Sequence, residues 1–167
     1  MMKKLMILSL VMAIGGLASA SLLDIKVGDL AVADGLEVIS DGSLALSAVT
    51  AVDTVGYDLT ISVTGDLALV TDGTEFPGEG TTWMFGNKFV GAPTAAQARV
   101  TGGAFMAVAA GTPAFGNLIV AGQRGTIIFD ELDVNTQERI VTEVSVIPEP
   151  MTMGLLGVGA LFLRRRK

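Results

Sequence analysis

The chain contains no cysteine and no histidine. Without cysteine there is no disulfide, so packing alone must hold the fold. The two absences together exclude Ser-His-Asp and Cys-His nucleophile systems, imidazole acid–base chemistry and the usual zinc and copper sites. No cofactor and no metal site is therefore expected. Aromatic residues are sparse, with one Trp, one Tyr and seven Phe in 167 residues. Basic residues are scarce in the middle of the chain: residues 21–147 hold 16 acidic and 5 basic residues, a net charge of −11. The whole-chain value of −6 hides this, because Lys3, Lys4, Arg164, Arg165, Arg166 and Lys167 lie at the two ends. Phosphate binding needs basic patches, so DNA and RNA are not expected partners. An acidic core suits solubility outside the cell and leaves divalent cation binding open.

The two ends carry the strongest signals. Lys3 and Lys4 form a charged start, residues 5–17 are apolar, and Ala18-Ser19-Ala20 has the small residues of a cleavage site. This predicts a signal helix over residues 1–20, removed by a signal peptidase after Ala20; an uncleaved anchor helix is the other reading. At the far end Ile147-Pro148-Glu149-Pro150 is followed by an apolar run of 13 residues, 151–163, and then by Arg164, Arg165, Arg166 and Lys167. As a helix the run is about 20 Å long, short against a bilayer core of about 30 Å. Pro148 and Pro150 stop that helix from extending back into the domain, and the terminal cations stay on the cytoplasmic side.

A Pro-Glu-Pro hinge, a short glycine-containing apolar helix and an arginine cluster on an exported chain resemble the PEP-CTERM class of sorted bacterial proteins. The resemblance rests on Pro148, Glu149, Pro150, residues 151–163 and Arg164, Arg165 and Arg166. It implies recognition by an exosortase-type membrane enzyme, cleavage near the motif, and release to the surface or an exopolysaccharide matrix. It covers the last twenty residues and implies nothing about the fold of the rest. A plain C-terminal membrane anchor is the alternative.

Residues 21–147 read as β structure throughout. Tyr57, Leu59, Ile61 and Val63 alternate with Asp58, Thr60, Ser62 and Thr64, the period of a half-buried strand. Further strands are predicted at 22–27, 36–39, 44–49, 67–70, 98–101, 105–109, 117–121, 126–131 and 140–146. Asp34-Gly35, Asp41-Gly42, Asp72-Gly73 and Gly102-Gly103 mark turns between them. Many short strands with frequent turns predict one antiparallel β-sandwich of jelly-roll or cohesin-like type. The one helical expectation inside the domain is a turn or two over 94–99, after Pro93.

The character changes between residues 71 and 92. A polar, glycine-rich stretch leads into Trp83-Met84-Phe85, with Phe89 beyond. An aromatic cluster beside an acidic loop suits sugar stacking or partner binding, which makes Trp83, Phe85 and Phe89 the candidate ligand-binding residues. The competing reading is that these rings plug one end of the sandwich. Asp53, Asp58, Asp72, Glu75, Glu79, Asp130, Glu131 and Asp133 supply carboxylates for glycoside hydrolysis, but no spacing selects a pair. The stretch from Asp130 to Asn135 lacks the glycine and the terminal glutamate of a calcium loop and reads as a hairpin turn.

The segments Gly56-Tyr57-Asp58-Leu59-Thr60-Ile61, Asp66-Leu67-Ala68-Leu69-Val70, Gly116-Asn117-Leu118-Ile119-Val120 and Glu131-Leu132-Asp133-Val134-Asn135 are similar in layout to the strands of cohesin and related carbohydrate-binding sandwiches. That likeness implies noncatalytic binding of a dockerin-like module or a polysaccharide. The expectation is an exported, noncatalytic protein of the cell envelope or matrix, held transiently or permanently at the membrane by its tail. An acid-pair glycan hydrolase and a purely structural matrix protein are the alternatives.

Overall fold

The computed structural model describes residues 21–133 and 136–149. The signal segment with Ala18 and Ala20, and the tail from Pro150 through Arg164, Arg165 and Arg166, lie outside the described residues. Among the described residues eleven strands run in chain order: β1 Leu23–Val27, β2 Leu30–Ala31, β3 Leu36–Ser40, β4 Gly42–Thr50, β5 Thr54–Val63, β6 Ala68–Val70, β7 Asn87–Phe89, β8 Gln97–Val108, β9 Pro113–Gly122, β10 Gly125–Leu132 and β11 Arg139–Pro148. They form a five-stranded sheet, β2-β1-β4-β9-β6, and a six-stranded sheet, β3-β11-β10-β5-β8-β7. The fold is an all-β sandwich. Every pair is antiparallel except β3 with β11, which is parallel.

The strand period explains the layers. Tyr57, Leu59, Ile61 and Val63 are buried, while Asp58, Thr60 and Ser62 stay partly exposed on the other face of β5. The inward residues of both sheets share one core: Leu23, Ile25, Val27, Leu46, Leu118 and Val120 from the first, and Leu59, Ile61, Val100, Ile127, Phe129 and Val144 from the second. A side chain fully buried there contributes roughly 1.5–3 kcal/mol by leaving water. This burial supplies what disulfides supply in many exported domains.

Two expectations are corrected. The segment 94–99 is not helical: Thr94 forms a local turn in which its Oγ1 accepts from the Gln97 N–H at 3.0 Å, and β8 starts at Gln97. Threonine competes with helix formation in just this way. The predicted strands 98–101 and 105–109 are one strand, β8, broken in register by a bulge opposite β5. Pro148, assigned to the tail, is the last residue of β11 and pairs with Ser40. The short strands β2 and β7 were not anticipated, since two or three residues carry no readable period.

One turn depends on a glycine. Gly65 has φ +75°, and a Cβ there would sit 2.5 Å from the Arg124 carbonyl oxygen. We expect Gly65→Ala to be destabilising through both strain and clash. Ile61→Ala, in the sealed core, should cost about 2–5 kcal/mol, whereas Ser62→Ala one position along should stay within about 0.5 kcal/mol. Urea unfolding midpoints of the three variants check this.

Candidate functional site

The sites begin with the loop over residues 71–86, which carries the chain from β6 in the first sheet to β7 in the second. A bulge in β9 lets it dock. Leu46 pairs with Leu118 but Ala48 pairs with Phe115, so β9 holds one extra residue there. Asn117 absorbs it at φ 56°, a left-handed conformation that asparagine tolerates. Gly116 thereby bonds the loop: its N–H donates to the Glu75 carbonyl at 2.9 Å, and the Glu75 N–H donates back at 2.8 Å.

Farther along, the loop is pinned by polar side chains. Asn87 is buried; its Nδ2 donates to the carbonyls of Pro77 at 3.0 Å and Ala114 at 2.6 Å, and its Oδ1 accepts from the Tyr57 hydroxyl. Burial pushes the Tyr57 hydroxyl far up, so it stays a donor. The Trp83 Nε1–H donates to the Pro113 carbonyl at 3.0 Å, and its ring meets Tyr57 edge-on at 5.2 Å between centroids. Gly102 makes this possible, since a Cβ there would lie 2.5 Å from Tyr57 and 3.1 Å from Trp83.

The three candidate aromatics therefore separate. Trp83 is 0% exposed and presents no face to a ligand, so it is the plug between the sheets. Phe89 is half-buried and packs edge-on against Phe76 at 5.0 Å. Phe85 is 63% exposed. It stands over Gly103, whose absent side chain would meet the Phe85 Cβ at 3.3 Å, and it faces Phe105 at 4.3 Å and 64°. Phe105 and Met106, 69% and 80% exposed, project from the β8 bulge; Met84 is exposed beside Phe85 in the chain. Sequence reading missed Phe105 and Met106 because they lie inside an apparent strand. Only the Gly102-Gly103 pair before them hinted at a register break.

The Phe85–Phe105 patch ends a polar strip on the outer face of the second sheet. Along β8, Gln97, Arg99 and Thr101 point outward, and Asp58, Thr60 and Ser62 do so on β5. Arg99 grips Asp58 through two nitrogens, Arg139 grips Asp130 likewise, and Gln97 Nε2 donates to Ser62 Oγ at 3.1 Å. Thr60 and Leu132 complete a shallow depression of about 280 Å³ between these pairs. Asp58 and Asp130 are diagonal neighbours by register. Both oxygens of each are held by a guanidinium.

A second feature lies at the opposite edge. A cleft of about 940 Å³ opens between β1 and β4 of one sheet and β10 and β11 of the other, with Asp24, Asp34 and Glu131 among its lining residues. Glu131 is 2% exposed and its Oε2 accepts from the Ser21 hydroxyl. Its Oε1 has no hydrogen-bond partner among the described residues. Burial pushes the Glu131 carboxyl above the ordinary range, against the Ser21 hydroxyl and the Leu22 and Leu23 N–H groups; Asp133 adds to the rise.

No family model matches the chain. No curated protein matches it. Among solved structures it is similar to a cohesin module of a family 33 glycoside hydrolase from Clostridium perfringens, with 6% identity, a TM-score of 0.36, and coverage of 77% of this chain and 99% of that one. It is also similar to a type III cohesin module from the cell-surface anchoring scaffoldin ScaE of Ruminococcus flavefaciens, with 12% identity, a TM-score of 0.39, and coverage of 77% and 78%.

Removing the buried Trp83 ring should cost about 3–5 kcal/mol, and Gly102→Ala should lower stability by displacing Tyr57 or Trp83. Denaturant unfolding followed by tryptophan fluorescence for Gly102→Ala, and by circular dichroism for Trp83→Ala, checks both.

Proposed function

We propose that this chain is a noncatalytic, exported binding module that docks a protein partner on the outer face of its second sheet. The observation that carries it is the exposed Met84, Phe85, Phe105 and Met106 patch continuing into the Arg99, Asp58 and Thr101 strip. Apolar aromatic and methionine side chains with an arginine-bearing polar rim are the anatomy of a protein–protein interface. Methionine adapts to a partner's contour, and contiguous exposed apolar surface marks interaction sites. A dockerin-like module is one such partner.

The geometry of the rings favours protein over sugar. Phe85 and Phe105 meet at 64°, so they form a knob and not two coplanar platforms on which successive sugar rings could stack. The polar strip is the feature that favours a polysaccharide, the second reading. In both, the terminal segments deliver the module: a signal peptidase acts after Ala20, and an exosortase-type enzyme acts at Pro148, Glu149 and Pro150. The module then resides in the envelope or matrix, with the membrane as a transient or lasting anchor.

Partner capture from the envelope fraction of the native cells, quantified by titration with the captured component, tests this. Phe85→Ala and Phe105→Ala should each weaken binding roughly tenfold, the equivalent of about 1.4 kcal/mol, with unfolding midpoints little changed. Binding of a purified matrix polysaccharide that both variants lose would favour the second reading. Retention of full affinity by both variants would remove the site. The intact mass of the native protein reads the processing at both ends.

A further inference from the structure

Glu131 is the one buried carboxylate with an unused oxygen among the described residues. The groups that act on it are the Ser21 hydroxyl, the Leu22 and Leu23 N–H groups and Asp133 from beyond the end of β10, none of them a cation. Asp24 of β1 and Asp34 of the turn before β3 line the same cleft, with Ile140, Val141 and Thr142 of β11. No lysine or arginine among the described residues lines the cleft. A carboxylate this deep with no cation beside it is costly.

The missing cation is specified by the chain itself. Ser21 already touches Glu131 through its hydroxyl, and its backbone nitrogen is three covalent bonds from that oxygen. While residues 1–20 are attached, this nitrogen is a neutral amide. Hydrolysis of the Ala20–Ser21 bond consumes one water, leaves the carboxylate on Ala20, and frees an α-amine on Ser21 that is protonated at neutral pH. We infer that the new Ser21 ammonium is the partner of Glu131, so that removal of the leader completes the ion pair. The inference rests on the leader-cleavage reading and makes maturation a stabilising step. A buried unpaired acid in the precursor becomes a paired one in the mature domain.

The sign of the pH dependence follows. A carboxylate partner raises the α-amine pKa above its unfolded value of about 8. The stability it lends is complete below that value and is lost as pH rises through the folded pKa.

The test uses the full chain exported and processed by cells, as wild type and as Glu131→Gln. N-terminal sequencing comes first: Ser21 as the first residue is expected, and any other first residue overturns the leader reading and this pairing with it. With Ser21 first, Glu131→Gln should lower the thermal midpoint at pH 7 by roughly 5 °C, and the gap should close by pH 10. An unchanged or raised midpoint, or a gap constant with pH, overturns the pairing while leaving leader cleavage standing. The pH dependence of acylation of the wild-type α-amine gives its pKa without any variant. A value above 8 supports the pair, and an ordinary value overturns it. A midpoint that rises with calcium in wild type but not in Glu131→Gln assigns the oxygen to a metal ion and overturns it as well.

Discussion

The contact between Tyr57 and Trp83 over Gly102 is the constraint on which the rest of this molecule turns. Tyr57 belongs to the middle of the second sheet, and Trp83 reaches the first sheet through the Pro113 carbonyl. Because Gly102 has no side chain, the two rings occupy the space one strand residue would have filled. Their closure sets where the 71–86 loop must end. That ending leaves Phe85 over Gly103, and Phe85 in turn meets Phe105 on the bulge. A buried plug and an exposed patch are thus adjacent consequences of one glycine pair.

Each edge of the sandwich is crossed by the chain, and the two crossings differ in what they enclose. Between β2 and β3 only a short turn passes from the first sheet to the second. It is too brief to bring a large side chain inward, and the cleft holding Glu131 lies beneath it. Between β6 and β7 the passage is long enough to carry Trp83 and Phe76 into the gap. The same topological problem is solved at one edge by aromatic volume and at the other by leaving room.

The sheets were legible in the sequence because burial of one face imposes a period of two, and β5 shows that period without interruption from Tyr57 to Val63. The crossings were not. Nothing local tells that β3 runs parallel to β11, because that pairing is set by strands about a hundred residues apart. Thr94 looked like the entrance of a helix after Pro93, yet its hydroxyl closes a turn, a choice decided by the strand pairing that follows. Of the aromatic cluster, composition located the neighbourhood but not the roles. Trp83 and Phe85 are two residues apart yet opposite in exposure, which extended chain would not allow; a turn separates them, and Gly102 and Gly103 leave the space that each ring takes.

The charge pattern then acquires a spatial meaning. The five cations of residues 21–147 do not spread evenly over its acids. Arg99 and Arg139 are spent on Asp58 and Asp130, both on the outer face of the second sheet. Exposed pairs of this kind add little to stability, so their effect is to hold two forked side chains in fixed orientation across that face. Among the described residues no cation is placed at the cleft edge, where desolvation makes a lone carboxylate most expensive. A sequence under pressure only for stability would move one of its arginines there, or replace Glu131 with an apolar residue of similar size. Keeping the acid beside Ser21 is intelligible if the positive charge arrives with the chain's own new terminus once the leader is removed.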